Sequence, residues 1–520
     1  MEQQTTRRIK SAASVLSGWC LLVFTILLGL MPPGRALAQT AFGERPRLVV
    51  GVVVDQMRWD YLSRYYDRFT ADGFRRLIDD GYSCNNCLIN YVPTVTAIGH
   101  TSAYTGTTPA FHGICGNNFY IDGQKVYCTA DTTVQTVGSS SNRGQHSPHN
   151  LLSTTIGDQL RLHTDFRSKV VGVSYKDRAA ILPAGHSANA AYWLDTKNLC
   201  FVSSTYYMTQ LPDYAQKVNA AMKKNKDVKK AGDRIGYSPL CGTVTTDMAI
   251  AALQGERLGL GEATDMLCVS YSQTDVIGHE WGTRGEHTDE AYLQLDRDLG
   301  RLLQALDSQV GRGNYLLFLT ADHGASHNWR FMREHRLPGG PLYISRLKTS
   351  LDSVCAARLG AAKAVVGDIM DYRVFLDRKS IAGQQFDVQQ VKDCIVGYLR
   401  SLPGVVTATD YEAVRTTSLP QLLTDRLLMG YHPRRSGDVV FIPEPQWYSW
   451  WDDVAPTHTT HGEWNPYDAH IPLLFYGWKV SHGATSREVH ISDIAPTVCQ
   501  MLHIQQPNAC SGQAIAEVVR

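Results

Sequence analysis

An uninterrupted apolar run that is mostly β-branched valine constrains the fold of this chain more than any other segment. It is LVVGVVV at positions 48–54. A strand that is apolar on both faces must be covered on both faces, which is typical of a parallel sheet between layers of helices. Asp55 follows the run directly. Because ligands of open α/β sheets bind at the carboxyl ends of the strands, Asp55 is a candidate site residue. Taken singly, an aspartate in this place is also a common helix cap or turn residue.

The same arrangement of apolar runs and helical patterns repeats along the chain. Further strands are predicted at residues 169–174, 265–271, 314–320 and 471–476. Amphipathic helices are predicted at residues 60–81, 151–162, 216–233 and 289–309. This alternation predicts an α/β fold with a doubly wound, mostly parallel sheet sandwiched by helices. The pattern becomes mixed from about residue 341 to residue 453, which predicts an inserted α+β subdomain.

The first 38 residues have the order of a secretory signal peptide. Two arginines and a lysine precede a long apolar run, and Ala36-Leu37-Ala38 forms an A-x-A cleavage pattern. We therefore expect an exported protein, periplasmic or secreted in a bacterium, with a mature catalytic domain at residues 39–520. No stable membrane association is expected after cleavage. Because the apolar run is long, an uncleaved anchor is the alternative.

The charges of the chain nearly cancel. Its 520 residues include 50 Lys and Arg against 49 Asp and Glu, which gives a formal net charge of +1. Such a balance provides no bulk field to attract nucleic acid, so none is expected as a partner and any recognition of phosphate must be local. The sequence leaves the oligomeric state and the physiological substrate open.

Acidic, basic and imidazole side chains follow four of the predicted strands or precede the fifth. They are Asp55, Lys176, Arg178, Asp275, His279, Asp322, His323 and His461. Because the carboxyl ends of parallel strands lie at one edge of a sheet, we expect these groups to meet. Three carboxylates and three imidazoles without a thiolate are sufficient for two Zn²⁺ ions, provided that the ions also share solvent, substrate or a nucleophile.

Thr96 is the candidate nucleophile. The sequence PTVTAIGH at residues 93–100 predicts a turn that leads into a helix, and the amino-terminus of a helix favours anions. Two Zn²⁺ ions carry +4, three carboxylates reduce this to +1, and a Thr96 alkoxide would make the cluster neutral. Metal coordination is what makes a threonine hydroxyl usable as a nucleophile. Lys176 and Arg178 would then face the nonbridging oxygens of a phosphoryl group.

In their order along the chain, these motifs resemble those of the alkaline phosphatase superfamily. Within it they look most like the PafA-type bacterial alkaline phosphatases, which are related to the nucleotide pyrophosphatase/phosphodiesterases. The resemblance covers nearly all of the mature chain. The motifs that carry it are Asp55, Thr96 to His100, Gly116-Asn117-Asn118, Lys176-Asp177-Arg178, Asp275 to His279, Asp322-His323-Gly324 and His461-Gly462-Glu463.

The resemblance implies a zinc-dependent enzyme that hydrolyses small-molecule phosphate monoesters through a phosphothreonine on Thr96. It implies one zinc ion held by Asp275, His279 and His461. It implies a second zinc ion held by Asp55, Asp322, His323 and Thr96. It further implies that Asn117 binds a phosphoryl oxygen and that Lys176 and Arg178 favour monoesters. The alternatives are a phosphodiesterase or nucleotide pyrophosphatase of the same superfamily, and a non-catalytic secreted metal-binding protein.

Overall fold

A computed structural model describes residues 45–450 and 455–519 of the chain. The predicted signal peptide, residues 1–38, therefore lies outside the described residues. In the part that is described, no helix combines the length and the apolar character needed to cross a lipid bilayer.

Strands and helices alternate through most of the described chain. The strands are β1 Leu48–Val54, β2 Tyr82–Cys84, β3 Cys87–Leu88, β4 Asn118–Ile121, β5 Gln124–Tyr127, β6 Thr136–Val137, β7 Val170–Ser174, β8 Ala190–Asp195, β9 Cys200–Ser204, β10 Asp265–Tyr271, β11 Tyr315–Thr320, β12 Gly340–Tyr343, β13 Val366–Met370, β14 Arg373–Leu376, β15 Val405–Asp410, β16 Val439–Pro443, β17 Trp447–Trp450, β18 His470–Ile471, β19 Leu473–Gly477, β20 Gly483–Thr485 and β21 Val489–His490. The helices are α1 Asp60–Arg64, α2 Phe74–Asp80, α3 Thr96–Thr105, α4 Pro109–His112, α5 Ile156–His163, α6 Asp177–Ala184, α7 Asp213–Lys224, α8 Lys226–Ala231, α9 Leu240–Gly255, α10 Gln273–Trp281, α11 Glu286–Gln309, α12 Trp329–Glu334, α13 Ile344–Leu359, α14 Arg378–Gly383, α15 Val388–Leu399, α16 Gln421–Gly430, α17 Pro466–Ala469 and α18 Ile494–Leu502.

A large mixed sheet runs through the centre of the fold. Its strand order is β20-β2-β19-β11-β1-β10-β7-β8-β9-β6. The five strands from β11 to β8 in this order are mutually parallel. Every residue of β1 is buried, as expected for a strand covered on both faces. The predicted α/β class, with a mostly parallel central sheet flanked by helices, is confirmed.

The strand predicted at residues 471–476 is an exception to the parallel arrangement. The structure divides it into β18 and β19, with Pro472 between them, and β19 is antiparallel to β11. Leu473, at the start of β19, pairs with Thr320, at the end of β11. Residues before β19 therefore reach the same edge of the sheet as residues after β11. This direction explains how His461 can join the site although it precedes its strand.

Three of the predicted helices differ from the observed ones. The helix predicted at residues 216–233 is divided at Asn225 into α7 and α8, because the Asn225 side chain caps the start of α8. The single helix predicted at residues 60–81 is wrong, because the chain forms α1, a 3₁₀ turn at Tyr66–Arg68, and α2. The Asp296 carboxylate accepts hydrogen bonds from the backbone N–H groups of Thr70 and Phe74, at 2.7 and 2.8 Å, and so holds a turn between the pieces. The helix predicted from residue 151 begins at Ile156, where Thr155 and Asp158 form a capping box.

A second hydrophobic core lies between Leu342 and Trp450. It is built on the antiparallel sheet β13-β14-β16-β15, against which helices α13 and α15 bury apolar side chains such as Leu351 and Ile395. The boundaries of the inserted subdomain, about 341–453, stay a prediction, and residues 451–453 lie outside the described part of the chain.

Candidate active site

Asp275, His279 and His461 form the first of two groups of candidate metal ligands, called ligand groups below, at the carboxyl edge of the parallel strands. Oδ1 of Asp275 lies 3.1 Å from Nε2 of His279 and 3.6 Å from Nε2 of His461. Asp275 and His279 are one turn apart on α10, so both side chains leave the same face of the helix. The ligand atoms of the three residues all lie within 4.8 Å of one another.

Asp55, Asp322 and His323 form the second group, after strands β1 and β11. Nε2 of His323 lies 3.5 Å from Oδ1 of Asp55 and 3.5 Å from Oδ2 of Asp322. Asp275 also approaches this group, because the ligand atoms of Asp55, Asp275 and His323 lie within 4.8 Å of one another. Asp275 is therefore placed between the two groups, whereas the resemblance assigns it to the first alone.

The three imidazoles direct Nε2 toward these carboxylates and Nδ1 toward backbone carbonyl oxygens. Each Nδ1 atom lies 2.7–2.9 Å from a backbone carbonyl oxygen; the pairs are His279 with Thr459, His323 with Gly324 and His461 with Thr94. A carbonyl oxygen only accepts hydrogen bonds, so Nδ1 of each ring carries a proton, and Nε2 carries a lone pair where the ring is neutral. Burial lowers the pKa of His323 and of His461, which favours the neutral ring. At His279 burial is outweighed by the Asp275 carboxylate, which raises the pKa. A lone pair that faces a carboxylate oxygen is repelled unless a cation lies between them. Histidine metal ligands are commonly oriented in this way.

Buried carboxylate oxygens in the cluster indicate a cation as well. Oδ1 of Asp55 and Oδ2 of Asp322 accept no hydrogen bond from the described residues, although Nδ1 of His100 lies 3.2 Å from the latter. Burial, and then the neighbouring Asp322 carboxylate, raise the pKa of Asp55 well above its ordinary value. Buried negative charge of this kind is costly until a cation compensates it. The donor set of carboxylate oxygens and imidazole nitrogens, without thiolate, fits divalent cations such as zinc.

Thr96 lies at the first position of helix α3, beside the second group. Its side chain is buried, and Oγ1 lies 3.4 Å from Nε2 of His323. Gly99 allows this approach, because a Cβ there would overlap the backbone carbonyl oxygen of Asp322. Oδ1 of Asn117 accepts a hydrogen bond of 3.1 Å from the backbone N–H of Ala97. Since an N–H can only donate, the amide oxygen is committed here, and the Asn117 amide nitrogen is the group left to donate.

Lys176 and Arg178 come from the loop after β7 and the first turn of α6. The Lys176 ammonium lies 2.7 Å from Oδ2 of Asp55 and 2.5 Å from Oδ2 of Asp275. Burial alone would lower its pKa, but the two carboxylates outweigh burial and raise it, so Lys176 is charged. Lys176 thus contacts ligand carboxylates, a contact that the sequence did not predict. Arg178 donates from Nη1 to the Tyr127 hydroxyl at 3.0 Å.

Three further residues orient the predicted ones. Gln56 donates from its backbone N–H to Asp322 and from Nε2 to Asp275, at 3.1 and 2.7 Å, and its φ of +65° is in the left-handed region. Its place directly after Asp55 is the one signal that could have found it. The other two are His100, whose Nδ1 lies 2.9 Å from the backbone oxygen of Thr96, and Tyr127, whose contact with Arg178 has no signal in the local sequence.

Known proteins are similar to this chain in both sequence and fold. A family profile described as type I phosphodiesterase / nucleotide pyrophosphatase matches residues 49–464. Alkaline phosphatase PafA of Elizabethkingia meningoseptica is 41% identical over 522 residues, which cover 91% of this chain and 95% of that protein. Alkaline phosphatase PhoV of Synechococcus elongatus is 42% identical over 521 residues, covering 92% of this chain and 93% of that protein. The crystal structure of wild-type alkaline phosphatase PafA matches with a TM-score of 0.88 at 40% identity, over 92% of this chain and all of that one.

Proposed function

The chain belongs to the type I phosphodiesterase / nucleotide pyrophosphatase family and, within it, to the PafA-type alkaline phosphatases, and we propose that it is an exported phosphomonoesterase that uses two Zn²⁺ ions. The proposed substrates are small-molecule phosphate monoesters, and the proposed intermediate is a phosphothreonine on Thr96. Export is supported by the signal-like pattern of residues 1–38. Zinc is supported by the mixed oxygen and nitrogen donors of the site.

The observation that carries the proposal is the group of imidazole nitrogen and carboxylate oxygen atoms beside the Thr96 hydroxyl. Nε2 of His323 lies 3.4 Å from Oγ1 of Thr96, and the same nitrogen faces carboxylate oxygens of Asp55 and Asp322 at 3.5 Å. A hydroxyl in such a place would share the cation with these three ligands. Sharing a divalent cation lowers the pKa of a hydroxyl and makes it a competent nucleophile.

The proposed reaction has two displacements at phosphorus. First, Thr96 Oγ1 gives up its proton and attacks the phosphorus, and the bond from phosphorus to the alcohol oxygen breaks. Phosphothreonine forms, and the leaving oxygen takes up a proton and departs as the alcohol. A water molecule then attacks the phosphothreonine, releases inorganic phosphate and restores the hydroxyl. Asn117, Lys176 and Arg178 would bind and orient the nonbridging oxygens and stabilise their charge. Bound divalent cations would supply Lewis-acid stabilisation of the attacking and leaving oxygens.

The number of cationic side chains favours monoesters over diesters. A phosphate monoester dianion carries one more negative charge at phosphorus than a diester monoanion, so the Lys176 and Arg178 cations attract the monoester more strongly. Comparing kcat/KM for an aryl phosphate monoester with that for the matching diester tests the proposal. We expect a clear monoester preference. A diester preference would favour the phosphodiesterase alternative, and no turnover of either ester would favour the non-catalytic one.

Loss of either basic side chain is expected to affect monoesters selectively. Lys176→Ala and Arg178→Ala should each lower monoester kcat/KM by about 10- to 100-fold, because each removes a charged hydrogen bond to the phosphoryl group. The diester should lose clearly less, since it carries less charge. Arg487→Ala, which removes a surface ion pair with Glu517, serves as the control. Equal losses on both esters would contradict the charge argument.

Gly99 is expected to be essential for the position of Thr96. Gly99→Ala should lower monoester kcat/KM by roughly 100-fold, because the added methyl group would push helix α3 away from the Asp322 carbonyl oxygen. Steady-state kinetics on folded protein measure the effect. Gly383→Ala is the matched helical control, since nothing lies within 4 Å of its Cβ position. Wild-type activity in Gly99→Ala would show that this close approach does not position the nucleophile.

A further inference from the structure

A cavity of about 460 Å³ lies between the candidate active site and the second hydrophobic core. One wall includes Asn117, His279 and His461. The opposite wall lies beside the second core, and it includes Ile344, Ile369, Met370 and Tyr372. A cavity of this size accommodates an organic group much larger than a methyl group.

The position of the cavity places it on the leaving-group side of the proposed reaction. Thr96 stands beside the second ligand group, at 3.4 Å from His323, whereas the cavity is bordered by two residues of the first group, His279 and His461. In an in-line displacement the leaving oxygen departs on the side opposite the nucleophile. The alcohol part of the ester would therefore extend from the first group into the cavity.

The far wall combines apolar side chains with charged side chains that are already paired. Side chains of Ile344, Ile369 and Met370 and the ring of Tyr372 contribute the apolar surface. The described charged residues away from the ligand groups are Lys125 and Asp371, and each has a partner of opposite charge. Lys125 lies 2.7 Å from Asp368, and Asp371 lies 2.9 Å from the buried Arg373. A leaving group that carried a second phosphate would find no free cation on this wall.

Close contacts fix this wall against the loops that carry site residues. A Cβ at Gly116, beside Asn117, would lie 2.8 Å from Oδ2 of Asp371. A Cβ at Gly462, beside His461, would lie 3.1 Å from Cε2 of Tyr372. The turn between β13 and β14 is built from Asp371 and Tyr372, whose φ values of +48° and +60° lie in the left-handed region, where non-glycine residues are uncommon. The tip of this hairpin therefore has a defined place across the cavity.

We propose that this cavity is a leaving-group subsite for an uncharged alcohol or phenol with an apolar ring. The proposal rests on the proposed phosphomonoesterase function and adds the class of substrate. Burial of the ring against the aliphatic side chains supplies binding energy that a small or charged alcohol lacks.

Three substrates separate the possible results. Benzyl phosphate and methyl phosphate both release simple alkoxides, so their comparison isolates the ring, and propane-1,3-diol bisphosphate adds a second phosphate. We expect kcat/KM for benzyl phosphate to exceed that for methyl phosphate about tenfold or more, and the bisphosphate to be no better than methyl phosphate. Equal values for the two monoesters, or a preference for the bisphosphate, would overturn the subsite. Failure of the wild-type protein on every phosphate monoester would instead overturn the proposed function.

Substitutions in the far wall test whether the benzyl ring binds against that wall. Met370→Ala and Ile344→Ala should lower the ratio of benzyl to methyl kcat/KM by several fold, with methyl phosphate turnover unchanged. Met429→Ala, which removes an exposed methionine that does not line the cavity, should leave the ratio unchanged. A loss that is equal on both substrates would place the ring elsewhere. The wild-type ratio remains a test even if a wall variant does not fold.

Discussion

Thr96→Ala is expected to lower kcat/KM for an aryl phosphate monoester by about 10⁴-fold or more. Replacing one member of a set of catalytic residues that act together typically reduces turnover by a factor of this size. The substitution deletes the Oγ1 atom that lies beside the second ligand group. The carboxylates and imidazoles stay in place, so the protein should retain bound metal. Steady-state kinetics and elemental analysis of the same dialysed sample measure both quantities.

Two variants control this experiment. Thr96→Ser keeps a hydroxyl in place and should retain much of the activity. Thr101→Ala removes a hydroxyl from the same helix, where it donates to the Ala97 carbonyl oxygen at 2.6 Å, and it should leave the chemical step intact. Unchanged phosphatase activity in Thr96→Ala would remove Thr96 from the mechanism.

Asp275→Asn is the second substitution with a large expected effect. Asp275 belongs to both groups of ligand atoms, and its Oδ2 also holds the Lys176 ammonium at 2.5 Å. Replacing one carboxylate oxygen by an amide nitrogen removes an anionic ligand from the middle of the cluster. We expect dialysed protein to lose metal from both groups and monoester kcat/KM to fall by roughly 10³-fold or more.

Asp322→Asn provides the matched comparison, because Asp322 lies 3.5 Å from His323 and contacts the second group alone. This variant should lose metal from one group and keep it in the other. The metal content per chain, measured after identical dialysis, should therefore rank wild type above Asp322→Asn and Asp322→Asn above Asp275→Asn. If Asp275→Asn retained the full metal content, the central position of Asp275 would be contradicted.

Local patterns in the sequence were sufficient for the buried strands but not for every helix. The runs at residues 48–54 and 265–271 match β1 and β10 because a strand buried on both faces needs only apolar side chains. The helix predicted at residues 60–81 failed because its interruption depends on Asp296, which is more than two hundred residues away in the sequence. A hydrogen bond between residues so far apart leaves no periodic pattern in the local sequence.

In the candidate site, too, local sequence patterns were sufficient to predict some residues and not others. Acidic and imidazole residues at strand ends could be predicted, because parallel strands bring their carboxyl ends to one edge of the sheet. The antiparallel direction of β19, which brings His461 to this edge, could not be predicted from the sequence. Two of the residues that orient the site, Gln56 and Tyr127, were also missed, since their hydrogen bonds join segments that only the folded chain brings together. The ligand roles themselves stay predictions.

Anomalous diffraction at the zinc absorption edge, from crystals of the full mature chain grown with zinc, shows directly whether the site holds two metal ions. We expect two peaks about 3.5–4 Å apart, the spacing of two-metal sites, one bounded by Asp275, His279 and His461 and the other beside Thr96. A single peak, or metal bound away from Thr96, would contradict the two-metal site.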